Sequence, residues 1–295
     1  MRGLGFGFNW LRRPKSQGGV TYWNPDTYFG ADMRAEIDMS DTTTWTTVGS
    51  GIDSLTSVDG LSTWVQSNSS LRPEVGYVFL NGYTGARFIG DTLQGTGQVC
   101  DTLNGVGAGT VFLIQQMQGD LEVGSTVRYF VDIQVNGSTN SRYSAGMQNT
   151  ANPQPLQHYS GRRRLDADAN QSGVLGGAAW VNNELSMYTF VPKPSNRTVR
   201  NRILRDGAVL NDVTTAATIF LSSGNFSATN SNRVDLGVNA KHTLFAGRFF
   251  NRELTTLEIQ KLEGWYAWLH PRFACAALRN LLDAGHPYKL SPPLP

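Results

Sequence analysis

Glu36, Asp38 and Asp41 lie in the run Glu36-Ile37-Asp38-Met39-Ser40-Asp41. On a strand the period of two puts alternate carboxylates on one face, and a bulge can return a third to it. A retaining glycoside hydrolase needs two carboxyl groups roughly 5–5.5 Å apart, one as nucleophile and one as acid. Asp41 is one methylene shorter than a Glu, and the motif precedes most of the strand-forming residues. It defines an enzyme alternative: hydrolysis of β-glucan or capsule through Glu36 with Asp41 or Asp38.

Asp166-Ala167-Asp168-Ala169-Asn170-Gln171-Ser172 spaces oxygens at positions 1, 3, 5 and 7 of a calcium loop. Position six is Gln171 where such a loop has Gly, and position twelve is Gly177 where it has a bidentate Glu. A solvated polar loop is the plain reading, with calcium through Asp166, Asp168 and Asn170 the alternative to having no cofactor. Arg162-Arg163-Arg164 beside Tyr159 could meet an anionic polysaccharide, or be a solvated face. Sugar recognition needs an aromatic face and amide or carboxylate groups for the hydroxyls. Trp64, Tyr83, Tyr143, Tyr159 and Trp180, with Arg162, are the candidates, each also explicable as a structural residue. Gly105-Val106-Gly107-Ala108-Gly109 leads into a strand, whereas a phosphate site needs a helix N-terminus. The scattered histidines His158, His242, His270 and His286 form no catalytic set with Ser or Cys and no zinc spacing.

Composition sets the frame for these residues. The chain has 295 residues, 40% apolar and 16% charged, with a net charge of +2 and 32 glycines. So few charges argue against a helical bundle, and a near-neutral balance gives no field for nucleic acid or an anionic membrane. No apolar run is long enough to span a bilayer. Cys100 and Cys275 read as two free thiols or one disulfide. The apolar stretch from Leu4 to Leu11 precedes Arg12, Arg13 and Lys15, the reverse of a secretory signal. Residues 1–30 read as an extended arm in which Phe6, Phe8 and Trp10 are costly to leave in water and suit an anchor on a partner.

From about residue 31 to 250 the texture is β: short runs of Val, Ile, Phe, Tyr and Thr between Gly, Asn, Asp and Ser. Strands are expected at Gly76–Leu80, Ala86–Ile89, Thr110–Gln116, Thr126–Val135, Leu185–Val191, Asn201–Arg205, Thr218–Ser222, Val234–Val238 and Leu244–Phe250. Asp206-Gly207 predicts a two-residue hairpin with positive φ; Asn81-Gly82 and Asn136-Gly137 read similarly. With no intervening helical pattern, the fold class is an all-β antiparallel sandwich or jelly roll. Residues 137–177 read as an irregular insertion. Amphipathic helices are expected over 255–284: Thr255-x-x-Glu258 is a capping box, followed by a stripe of Leu257, Leu262, Trp265, Tyr266 and Leu269 and a second helix from Arg272 to Ala284. Residues 291–295 form a Pro-rich tail.

The stretch Phe245–His270, with Asn251-Arg252-Glu253-Leu254-Thr255 running into Lys261-Leu262-Glu263-Gly264-Trp265-Tyr266-Ala267, resembles the last strand and closing helix of concanavalin A-like (LamG-type) jelly-roll domains in tailed-phage virion proteins. His286-Pro287-Tyr288-Lys289 and the Pro-rich tail match that ending. Looser matches are Arg233–Gly237, Arg202–Leu210, Leu71-Arg72-Pro73 with Ala86–Gly90, and Arg34–Asp41. The resemblance spans about 31–290, with no Lys or Gly at the helix end and no counterpart for 137–177. It implies one lectin-like jelly-roll domain on a phage or phage-like particle, as head or tail fibre, spike or decoration protein. It also implies other virion proteins, a homo-oligomer and host surface polysaccharide as partners, and a structural rather than an enzymatic role.

Overall fold

The computed structural model describes residues 21–103, 107–117, 127–135, 141–148, 157–164, 183–193, 198–216, 231–238 and 240–295. Its first strands are β1 (Met33–Asp38), β2 (Trp45–Val48), β3 (Gly51–Thr56) and β4 (Ser62–Val65). Next come β5 (Glu74–Leu80), β6 (Tyr83–Ile89), β7 (Leu93–Gly97) and β8 (Thr110–Met117). Then follow β9 (Val127–Val135), β10 (Ser141–Gln148), β11 (Gln157–Arg164) and β12 (Leu185–Lys193). The last are β13 (Thr198–Arg205), β14 (Ala208–Ala216), β15 (Ser231–Leu236) and β16 (Lys241–Phe250). The helices among these residues are α1 (Pro25–Phe29), α2 (Thr256–Trp268) and α3 (Ala276–Leu281), besides short 3-10 turns. The protein is therefore all-β in its body, with its two longer helices at the C-terminal end.

Every strand pairing is antiparallel. The path runs β11-β10-β9-β15-β7-β4-β3, crosses one residue pair (Gly51 with Glu74), and continues β5-β6-β16-β8-β12-β13-β14. β2 lies beside β3 and β1 beside β16. The two halves pack face to face: Trp64 of β4 meets Phe249 of β16 at 5.7 Å, and Phe130 of β9 meets Tyr188 of β12 at 5.9 Å. The first half, β11 to β3 with β2, is the front sheet, and the second, β5 to β14 with β1, is the back sheet.

Side-chain alternation explains the layering. On β8, Val111, Leu113 and Met117 enter the core between the sheets, while Phe112 and Ile114 face the other way into a second core. β16 does the same with Leu244 and Phe249 against Phe245 and Phe250. A strand buried on both faces reads as a near-continuous apolar run, as these two do. The second core is closed by the helices, through Trp23 and Phe29 near α1, Ile259, Leu262 and Tyr266 of α2, and Leu278 and Leu281 of α3. Phe112 stacks on Tyr266 at 5.3 Å, a contact worth about 0.5–1.5 kcal/mol beyond its buried area.

Local chemistry follows the residues. Asp206-Gly207 has φ of 49° and 72°, and Asn81-Gly82 has 52° and 84°, the positive pairs that two-residue hairpins demand. Thr255 and Glu258 form both bonds of the capping box. Three expectations need correction. Leu257 is 54% exposed, because the cap turns Glu258 and Ile259 inward in its place. The second helix is only Ala276–Leu281, entered from an extended Cys275. Residues 21–30, assigned to the arm, belong to the folded body: Asn24 caps α1, and Trp23 N–H bonds to Pro293 O at 3.2 Å. Within the 137–177 stretch, β10 and β11 pair over eight residue pairs and extend the front sheet beyond β9. The expected strand Thr218–Ser222, the Asn136-Gly137 turn and the anchor residues Phe6, Phe8 and Trp10 lie outside the described residues.

Candidate functional surface

Two carboxylates of the hydrolase alternative, Glu36 and Asp38, lie on the helix-covered side of the back sheet. β1 sends Ala35 and Ile37 into the inter-sheet core, so Glu36 and Asp38 face the helices. Glu36 is buried and its Oε1 lies 2.9 Å from an Arg248 nitrogen. Arg248 has no exposed surface; it also meets Asp26 at 2.8 Å and Tyr266 Oη at 3.2 Å, and lies over the Trp265 ring. Burial alone would lower the Arg248 pKa, but the Glu36 carboxylate, Tyr266 and Asp26 outweigh it and hold the guanidinium charged well above its ordinary value. Glu36 is thereby committed to a buried ion pair that ties β1, β16, α2 and the N-terminal segment together.

Asp38 is equally enclosed. It accepts the Ser40 N–H at 3.0 Å and the Ser40 hydroxyl, and its Oδ2 stands 3.9 Å from His270 Nε2. His270 Nδ1 accepts the Arg272 and Phe273 backbone N–H groups, at 3.3 and 3.1 Å. Nδ1 is thus committed to the backbone, and Nε2 faces Asp38 rather than the Ser40 hydroxyl, which itself bonds to Asp38. Asp41 belongs to the turn after β1, 3.6 Å from Arg272. Neither Glu36 with Asp41 nor Glu36 with Asp38 makes an open acid and nucleophile pair. A second buried network joins Arg202 to Glu263 at 2.8 Å, and Glu263 to His286 Nε2 at 2.9 Å. It fastens the His286-Pro287-Tyr288-Lys289 tail to α2.

The front sheet is different: among the described residues no helix packs on its outer face across β2, β3, β4 and β7. Register places Thr46, Ser54, Val65 and Gln94 in one outward row, and Thr56, Thr63 and Thr96 in the next. Val65, Gln94, Thr46 and Thr96 are exposed and the others half-buried. The first row continues through Asp235 and Asp132 to Ser144. Asp132 and Asp235 are direct cross-strand partners with no exposed surface. Ser144 Oγ donates to Asp132 at 2.5 Å, and Arg233 Nε lies 2.8 Å from Asp235. A single acid between core residues, as in Val131-Asp132-Ile133 and Val234-Asp235-Leu236, was the sequence signal for this pair: alternation puts the acid on the face away from the core.

The sugar-site candidates do not gather there. Trp64 has no exposed surface; it fills the inter-sheet core and its indole N–H donates to Val234 O at 3.0 Å. Tyr143 is likewise fully buried in that core. Neither offers a ring face to a ligand. Tyr83 is 37% exposed at the β5–β6 hairpin, edge-on to Phe273, on the back sheet. Backbone register pairs Tyr159 with Gly146 and Arg162 with Tyr143. Trp180 and the proposed calcium ligands Asp166, Asp168 and Asn170 lie outside the described residues, among which no group of three or more His, Cys, Asp or Glu is arranged to hold a metal. Cys100 and Cys275 are not joined by a disulfide. Burial, with Asp101 and Asp235 nearby, pushes the Cys100 thiol up to about 11.

No family model and no curated protein matches the chain. Solved structures similar to it include a Trypanosoma rangeli sialidase, at 11% identity and a TM-score of 0.48, over 78% of this chain and 32% of that one. A GH54 α-L-arabinofuranosidase is similar at 13% identity and a TM-score of 0.45, over 70% and 48%. The binding domain of botulinum neurotoxin serotype G is similar at 9% identity and 0.43, over 78% and 50%. The chain thus spans half or less of the length of these proteins.

Proposed function

We propose that this chain is a structural component of a phage or phage-like particle, displaying a lectin-like jelly-roll sandwich that binds cell-surface polysaccharide. The virion context and the jelly-roll assignment rest on the resemblance carried by Phe245–His270. The observation that supports binding is the unequal covering of the two sheets. Helices cover the outer face of the back sheet over β8, β12 and β16, while the outer face of β2, β3, β4 and β7 presents Thr46, Ser54, Thr63, Gln94 and Thr96. Hydroxyl and amide groups in register rows across four strands suit the repeated hydroxyls of an extended glycan.

A glycan array with purified protein tests the reading. The triple variant Thr63→Ala, Gln94→Ala, Thr96→Ala should keep the wild-type melting temperature and lose at least about tenfold in affinity, as expected when several hydrogen bonds of about 1 kcal/mol each are removed. Undiminished binding by that variant would reject this face. A mass-spectrometric inventory of purified particles tests the virion context, which fails if the chain is missing from them. Release of reducing sugar from β-glucan or capsule would favour the hydrolase alternative instead.

A further inference from the structure

Three polar side chains of the back sheet point into the inter-sheet core. Among the described residues, neither ring nitrogen of His242, neither amide atom of Gln115 and not the Ser186 hydroxyl has a hydrogen-bond partner, and all three residues are fully buried. They are neighbours by register. Gln115 is paired with Leu244 on one side and with Ser186 on the other. His242 is paired with Met117, two residues along β8 on the same face as Gln115. Leu244 and Met117 both belong to the core between the sheets, which fixes the direction of the trio. Phe88 stacks on one side of the His242 ring at 4.9 Å, and Phe130 of the front sheet meets it at 5.0 Å.

Buried polar atoms without partners are costly, and five of them in one neighbourhood of an otherwise apolar core call for an occupant. We infer that His242, Gln115 and Ser186 line an internal site holding ordered water. The chemistry favours water over a cation: the three groups are a neutral imidazole, an amide and a hydroxyl, none of them anionic, and together they supply both donors and acceptors. Water is favoured over a larger polar ligand because all three residues are fully buried among close-packed side chains. Five polar atoms at about three bonds per molecule correspond to about two waters. The site lies near one end of the sandwich, where Met117 N–H bonds to Glu184 O and the buried Arg205–Glu184 ion pair sits beyond Ser186.

Two measurements on the full chain decide it. A high-resolution crystal structure should show solvent density within about 3.2 Å of atoms from at least two of the three residues. The same water should give slow-tumbling nuclear Overhauser contacts to the His242 ring protons. The double variant Gln115→Leu, Ser186→Ala, checked for folding by its melting curve, should lose that His242 contact. A dry site in which Gln115 bonds directly to His242 or Ser186 overturns the inference. So does a water contact at His242 that persists unchanged in the folded double variant.

Discussion

Arg248 and His242 lie three turns of the pleat apart on one strand and meet burial in opposite ways. Arg248 keeps its charge because Glu36 and Asp26 surround it, at 2.9 and 2.8 Å. Removing one partner of a buried ion pair strands the other, which typically costs 3–5 kcal/mol, about the cost expected of Arg248→Ala in urea unfolding. Adding Glu36→Gln to that variant should recover part of the loss, since the stranded carboxylate is then gone. His242 has no counter-charge, so burial lowers its pKa from 6.5 to about 3. Between those values the unfolded chain binds a proton that the folded chain refuses. Stability from this residue is therefore complete above about pH 6.5 and is lost as the pH falls toward 3, by roughly 4–5 kcal/mol in all. His242→Phe should flatten the stability profile over that window. An equal acid slope in the variant would mean that His242 is already protonated in the fold.

At the scale of elements, α2 is held by chemistry at both ends. Thr255 caps its start, and Arg252 at 2.7 Å together with the Thr255 bonds outweighs desolvation to lower the Glu258 pKa to about 2. Thr255→Ala should cost about 1 kcal/mol, visible as a lower melting temperature. Gly264 faces the returning tail: a Cβ there would stand 2.7 Å from Tyr288 Cβ. Gly264→Ala gains about 1 kcal/mol of helix propensity but overpacks a contact with little room to move, a cost of about 1–3 kcal/mol. The clash should win, lowering the melting temperature and loosening the 2.9 Å bond from the Trp268 indole to Tyr288 O. The elements legible in the sequence were those with a strong local signal: the capping box, the Asp206-Gly207 and Asn81-Gly82 turns, and apolar strands such as β8, β12 and β16. β2, β3, β4, β7, β10 and β11 were not foreseen. They are rich in Thr, Ser, Gly and Gln, so the pattern that marks a strand is diluted, and only pairing with neighbours makes them strands. The site suffered likewise. Aromatic type alone selected Trp64 and Tyr143, but a large ring between two sheets serves the core first.

For the whole molecule, the consequence of three layers is directional. Among the described residues, α1, α2 and α3 cover the outer face of β8, β12 and β16, whereas the outward rows of β2, β3, β4 and β7 carry no helix. The middle layer has a different fate. β16 is bonded along one edge to β8 and along the other to β6 and β1, and it is buried on both faces. Its amides open only when both cores separate. In heavy water the slowest deuterium uptake should therefore belong to residues 244–250 and to the facing 111–114, whereas the β2–β3 hairpin at the rim should label early. Uniform labelling across these strands would show that the layers part independently, and that the centre of the protein is no more durable than its margin.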